Sequence, residues 1–99
     1  FLFLNTLAAC QNACGAYEAA AETASRLVAL RPDYLRGQQH LAIACAEMGE
    51  TERARAACDA LTRLKPDLNR VWFEQTGPYK DPADLERLLE SLRKAGWSG

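Results

Sequence analysis

The sequence predicts an all-α chain of antiparallel helix hairpins, on three observations. Ala (18) and Leu (14) far outnumber Val (2), Ile (1) and Thr (5), so helix formers dominate and the β-branched residues that strands favour are scarce. Arg31-Pro32-Asp33 returns as Lys65-Pro66-Asp67 after 34 residues, a period that fits one helix–turn–helix unit. Gly15 and Gly49 keep the same spacing and suit the left-handed conformation that ends a helix tightly.

The period divides the chain into a first unit over 1–34, a second over 35–68 and a degenerate third over 69–99. Laid over each other, the first two agree at Leu7/Leu41, Ala8/Ala42, Gly15/Gly49, Glu18/Glu52, Ala20/Ala54, Leu27/Leu61, Leu30/Leu64, Pro32/Pro66 and Asp33/Asp67. In the second unit, Leu35 to Met48 reads as one helix, Gly49-Glu50 as the turn and Thr51 to Leu64 as the other helix. The alanine pairs leave room for close backbone approach, and the leucines fill the space between. Pro32 and Pro66 stop each second helix. Arg55, Asp59 and Arg63 recur four apart with alternating sign and predict a surface ion-pair ladder. In the third unit Gly77-Pro78 cuts the first helix short. Asp81 then suits an N-cap, Pro82 the first helical position and Asp84 the first turn. Leu85, Leu88, Leu89 and Leu92 form one apolar stripe. Arg93-Lys94 suits the C-terminal end of the dipole, and Gly96 a left-handed cap with Trp97 folding back toward Leu92.

These residues resemble the tetratricopeptide repeat. Leu4, Leu7, Ala8, Gly15, Tyr17, Ala20 and Pro32 match its pattern, as do Leu41, Ala42, Gly49, Ala54 and Pro66. Gln11 and Cys45 stand where the pattern has one aromatic, Ala24 and Cys58 where it has another, and Leu27 and Leu61 exceed the usual small residue. The resemblance implies a short right-handed superhelix of two repeats plus a capping helix, and a protein-interaction module with no chemistry of its own. A narrower resemblance lies in Pro78-Tyr79-Lys80-Asp81-Pro82-Ala83-Asp84-Leu85-Glu86-Arg87 and Leu92-Arg93-Lys94-Ala95-Gly96. That segment is similar to the end of bacterial signalling proteins in which such repeats follow a class III adenylate/guanylate cyclase domain. It implies that a catalytic domain lies upstream and that this segment serves as a dimerisation or autoregulatory arm.

Charge and composition exclude other classes. Twelve Lys and Arg against 13 Asp and Glu give a formal charge of −1 and a pI of about 5.8, the wrong balance for nucleic acid. An apolar fraction of 48% with 25% charged residues is ordinary for a folded soluble chain. No 18-residue apolar run is available to span a membrane. Cys10, Cys14, Cys45 and Cys58 lie in alanine-rich helical stretches, and the four-residue spacing of the first two does not suit a bridge. A reduced, cytoplasmic chain follows. Phe1 in place of Met points to a piece of a longer polypeptide.

No catalytic, metal or cofactor site is expected. The four cysteines and His40 lack paired short-spaced zinc knuckles, so small packing residues are the better reading. His40 has no acid within four residues to orient it, which favours a surface or groove histidine over a general base. Leu7-Ala8-Ala9-Cys10 resembles a lipoprotein cleavage box, but no basic region precedes it and Asn5-Thr6 interrupts the apolar stretch.

In the resembled family the inner groove would be lined here by Asn5, Asn12, Arg36, Gln39, Ile43, Arg70 and Phe73. These residues read equally well as solvated helix faces. The pattern that clamps a peptide's terminal carboxylate is met at only one of five positions, so that ligand is rejected. A protein or peptide partner remains, contacting Arg36, Gln39 and Arg70 by hydrogen bonds and Ile43 and Phe73 through apolar surface. Phe1, Leu2, Phe3 and Leu4 of the uncapped first helix are expected to self-associate, giving a homodimer.

Overall fold

The structure is a computed structural model that describes residues 2–76 and 82–97. Six helices follow one another: α1 (Leu2–Ala13), α2 (Tyr17–Leu30), α3 (Leu35–Glu47), α4 (Thr51–Leu64), α5 (Arg70–Thr76) and α6 (Pro82–Lys94). No strand occurs among the described residues. Helices α1 and α2 pack as one hairpin and α3 and α4 as a second, while α3 also lies against α2 and α1. The result is a stack of helix hairpins, as the sequence predicts.

The turns repeat almost atom for atom. After α1, Ala16 N–H donates to Gln11 O (2.8 Å) and Gly15 N–H to Asn12 O (3.1 Å). After α3, Glu50 N–H donates to Cys45 O (2.9 Å) and Gly49 N–H to Ala46 O (3.2 Å). Gly15 and Gly49 have φ of +79° and +77°, the left-handed conformation this two-bond cap requires. Gly96 repeats the device after α6 at φ +106°, with Trp97 N–H donating to Leu92 O at 3.0 Å. Trp97 therefore folds back onto its own helix. The proline turns match too: Arg31 N–H to Leu27 O and Tyr34 N–H to Arg31 O reappear as Lys65 to Leu61 and Leu68 to Lys65.

Ala8, Ala20, Ala42, Ala54, Leu27 and Leu61 are fully buried, the alanines allowing close approach and the leucines filling what remains. Gly37 shows how tight the stack is, because a Cβ there would stand 3.2 Å from Val28 Cγ2 and 3.3 Å from Leu27 Cγ. Among the described residues the predicted Arg55–Asp59–Arg63 ladder makes no ion pair; α4 is tied at its start by Arg53 to Glu50 at 2.7 Å instead. Exposed arginines gain little from holding one rotamer against a solvated carboxylate.

The C-terminal unit does not extend the stack as a further regular hairpin. Helix α5 starts with Asn69 Oδ1 accepting from Trp72 N–H at 3.0 Å, an N-cap contact, and runs only seven residues. Helix α6 lies against α3, with Leu85, Leu89 and Leu92 joining Ile43 and Phe73 in one buried core. Phe73 meets Trp97 edge to face at 5.7 Å and Trp72 at 5.1 Å. Near-equal extents of 27, 26 and 26 Å reflect this folding back. The expected roles of Phe1, Gly77-Pro78 and Asp81 lie outside the described residues.

Candidate partner-binding surface

Asn5, Asn12 and His40 form a polar junction between α1 and α3. His40 is buried, and its Nε2 lies 2.8 Å from Asn5 Oδ1. With that oxygen as acceptor, Nε2 carries the proton and donates it. Asn12 Nδ2 donates to His40 O at 3.2 Å. Burial lowers the histidine pKa to about 4, and Arg36 contributes to the lowering by repulsion, so the ring is neutral at pH 7. The expectation of a surface or groove histidine is therefore corrected: His40 is an internal tie between helices. Asn5, the fifth residue of the first unit, and His40, the sixth of the second, face each other in the stack, a proximity that the 34-residue offset encodes.

The groove expected along α3 is occupied by the chain itself. Gln39, Ile43 and Glu47 stand four apart on one side of α3; the first two are buried. Glu47 Oε1 accepts from Ser91 Oγ at 2.7 Å and from Lys94 Nζ at 3.1 Å, both on α6. The Ser91 hydrogen bond, followed by Lys94, holds the Glu47 carboxyl below its ordinary range against the opposing effect of burial. Gln39, Ile43 and Phe73 are thus core residues, not groove contacts. The expectation fails because it assumes that the open curvature of the stack continues through the third unit, whereas α6 closes over α3.

The two arginines assigned to the groove are engaged in internal contacts. Arg36 donates to Gln39 Oε1 at 2.7 Å and lies 4.5 Å above the Trp72 ring centroid, a cation–π geometry. Arg70 Nε donates to Glu74 Oε1 at 2.8 Å, and Arg70 also pairs with Glu86 of α6. Hydrogen bonds to Glu74 and then Glu86 raise its pKa. Arg36 and Arg70 therefore link α3 and α5 to their neighbours.

The open surface is on α1. Leu2 is 65% exposed and Phe3 75%; Thr6, Ala9, Cys10, Ala13 and Cys14 are exposed beside them. Leu4, also expected on this surface, is half-buried, as are Asn5 and Asn12, which flank the strip. Among the described residues the other exposed large apolar side chains, Leu30, Leu64 and Val71, are scattered over three helices. Scattered apolar residues need no explanation, whereas a continuous strip does.

Cys45 and Cys58 are buried, and burial pushes both thiols above their ordinary pKa; Cys10 and Cys14 are exposed. Among the described residues no three His, Cys, Asp or Glu side chains gather to hold a metal ion. No described helix is long and apolar enough to cross a membrane.

A tetratricopeptide repeat family model matches residues 12–72, from the last turn of α1 into α5. No curated protein matches the chain. The match spans more than half of the sequence, and the chain belongs to the tetratricopeptide repeat family.

Proposed function

We propose that this chain is a protein-interaction module whose docking surface is the exposed side of α1, acting through binding alone. The supporting observation is the asymmetry of the stack. Its C-terminal side is closed by the leucine face of α6, while Leu2 and Phe3 lie open on α1. Repeat boundaries at 1–34, 35–68 and 69–99 suit this reading, with the last unit as cap. The test is affinity capture from the native cell by the chain and by its Phe3→Glu variant. Capture of a defined protein that the variant loses supports the reading; an identical set of captured proteins overturns it.

A finer reading places the module in the cytoplasm at the C-terminal end of a bacterial signalling protein, as the autoregulatory arm of a class III nucleotide cyclase. Two features favour it: the resemblance of the segment around Asp84, Leu85, Glu86 and Arg87 to such termini, and the way α6 already covers the side of α3 expected to bind ligand. Determining the residues encoded upstream of Phe1 tests it directly, since a cyclase domain must be found there.

A further inference from the structure

We infer that the occupant of the α1 surface is a second copy of this chain, docked antiparallel about a two-fold axis. This deepens, and rests on, the proposal that α1 is the docking surface.

Charge supplies the first argument. No charged residue occurs before Glu18, so two copies of α1 can meet without burying an unpaired charge or opposing like charges. Every other helix carries at least one charged residue. A strongly charged partner would find nothing on α1 to pair with.

Size supplies the second. The bulk of the exposed strip lies at its start, in Leu2 and Phe3, and its end is small: Ala9, Cys10, Ala13 and Cys14. Phe3, Thr6, Cys10 and Ala13 follow the three- and four-residue spacing of a helix–helix seam. Running a second α1 in the opposite direction sets Phe3 against Ala13 of the other copy, Thr6 against Cys10 and Leu2 against Cys14. Each large residue then meets a small one, and the two-fold operation returns the same pairs, as an isologous interface requires. A parallel pair would put Phe3 against Phe3 and leave the alanines facing a gap.

Two features of the fold bear on the other ways of covering α1. A preceding helix pair packed as α2 packs on α3 would meet Phe3 at the position 34 residues before Gly37. At Gly37 even a methyl group would be within 3.2 Å of Val28, so a preceding pair with side chains the size of Leu27 and Val28 at those positions has no room for a phenyl ring. A head-to-tail copy would need the far side of α3 free, and α6 covers it. A face-to-face dimer needs neither a small residue at position 3 nor a free side of α3.

One helix pair of this length buries less than a standard interface of about 1,600 Å², so association belongs at high protein concentration. The test is sedimentation equilibrium of the 99-residue chain from ~10 μM to ~1 mM, with helicity checked by circular dichroism. The expected result is a monomer–dimer equilibrium, with Phe3→Glu raising the dissociation constant at least about 30-fold. Phe3→Ala and Ala13→Phe should each weaken the dimer, and the double variant should restore it, because in the antiparallel register these positions are mutual partners. A dimer indifferent to Phe3→Glu, or a double variant no better than the singles, overturns the inference. A chain that stays monomeric yet captures a foreign protein in a Phe3-dependent way overturns the second copy and leaves the interaction module standing. A monomer that captures nothing through Phe3 overturns both.

Discussion

His40 and Asn5 are 35 residues apart in sequence, yet His40 Nε2 lies 2.8 Å from Asn5 Oδ1 and joins α1 to α3. The bond depends on a neutral, buried imidazole. Removing its acceptor strands a buried donor, which costs about 1–3 kcal/mol. Asn5→Ala should lower stability by that amount in denaturant titration, and should cost much less in a His40→Leu background.

The same imidazole makes stability depend on pH. Its folded pKa of about 4 lies below its ordinary 6.5, so between those values the unfolded chain binds more protons than the folded one. The stabilisation is complete above pH 6.5, declines as pH falls and is lost once pH passes below about 4. The full effect is about 3 kcal/mol. Denaturant midpoints from pH 7.5 to 4.5 should fall in the wild type, with a flatter slope in His40→Gln.

Gly49 stands at φ +77°, and a Cβ added there would meet nothing within 4 Å. Gly49→Ala therefore tests backbone conformation alone, and should cost about 1–2 kcal/mol. Thermal unfolding of Gly49→Ala and Gly15→Ala should show losses of similar size, since both caps have the same geometry.

Closure by α6 depends on fully buried leucines. Leu92→Ala should destabilise the chain by about 2–5 kcal/mol. It should also shift tryptophan emission toward the red, because Trp97 is buried in the same core as Leu92 and its ring packs on Phe73.

Thiol chemistry should separate the cysteines into two pairs. Cys10 and Cys14 are exposed, Cys45 and Cys58 buried. Under native conditions, in protein dilute enough to leave α1 uncovered, an aromatic disulfide reagent should consume the first pair quickly and the second only at the rate of unfolding. Rapid reaction of all four would contradict the packing of Cys45 and Cys58.

The hairpins are legible in the sequence because their signals are local. Gly15 and Gly49 mark a backbone conformation, Pro32 and Pro66 mark helix ends, and Ala8, Ala20, Ala42 and Ala54 mark close approach. The fate of the groove is not legible, because the exposure of Gln39 and Ile43 depends on where a helix some 40 residues downstream comes to rest. Nothing in α3 encodes that position; the leucine stripe of α6 announces a buried face without naming what it covers. The burial of His40 escapes a sequence reading for a related reason: its partner is a short amide on another helix rather than a nearby acid.

The uneven placement of charge has a consequence for ionic strength. Added electrolyte will screen the Lys94–Glu47 and Arg70–Glu86 contacts that help hold the closing helix, yet has no fixed side-chain charge to act on along the opposite edge. Concentrated salt should therefore loosen the tail of the molecule while leaving the proposed attachment at its head untouched or tightened.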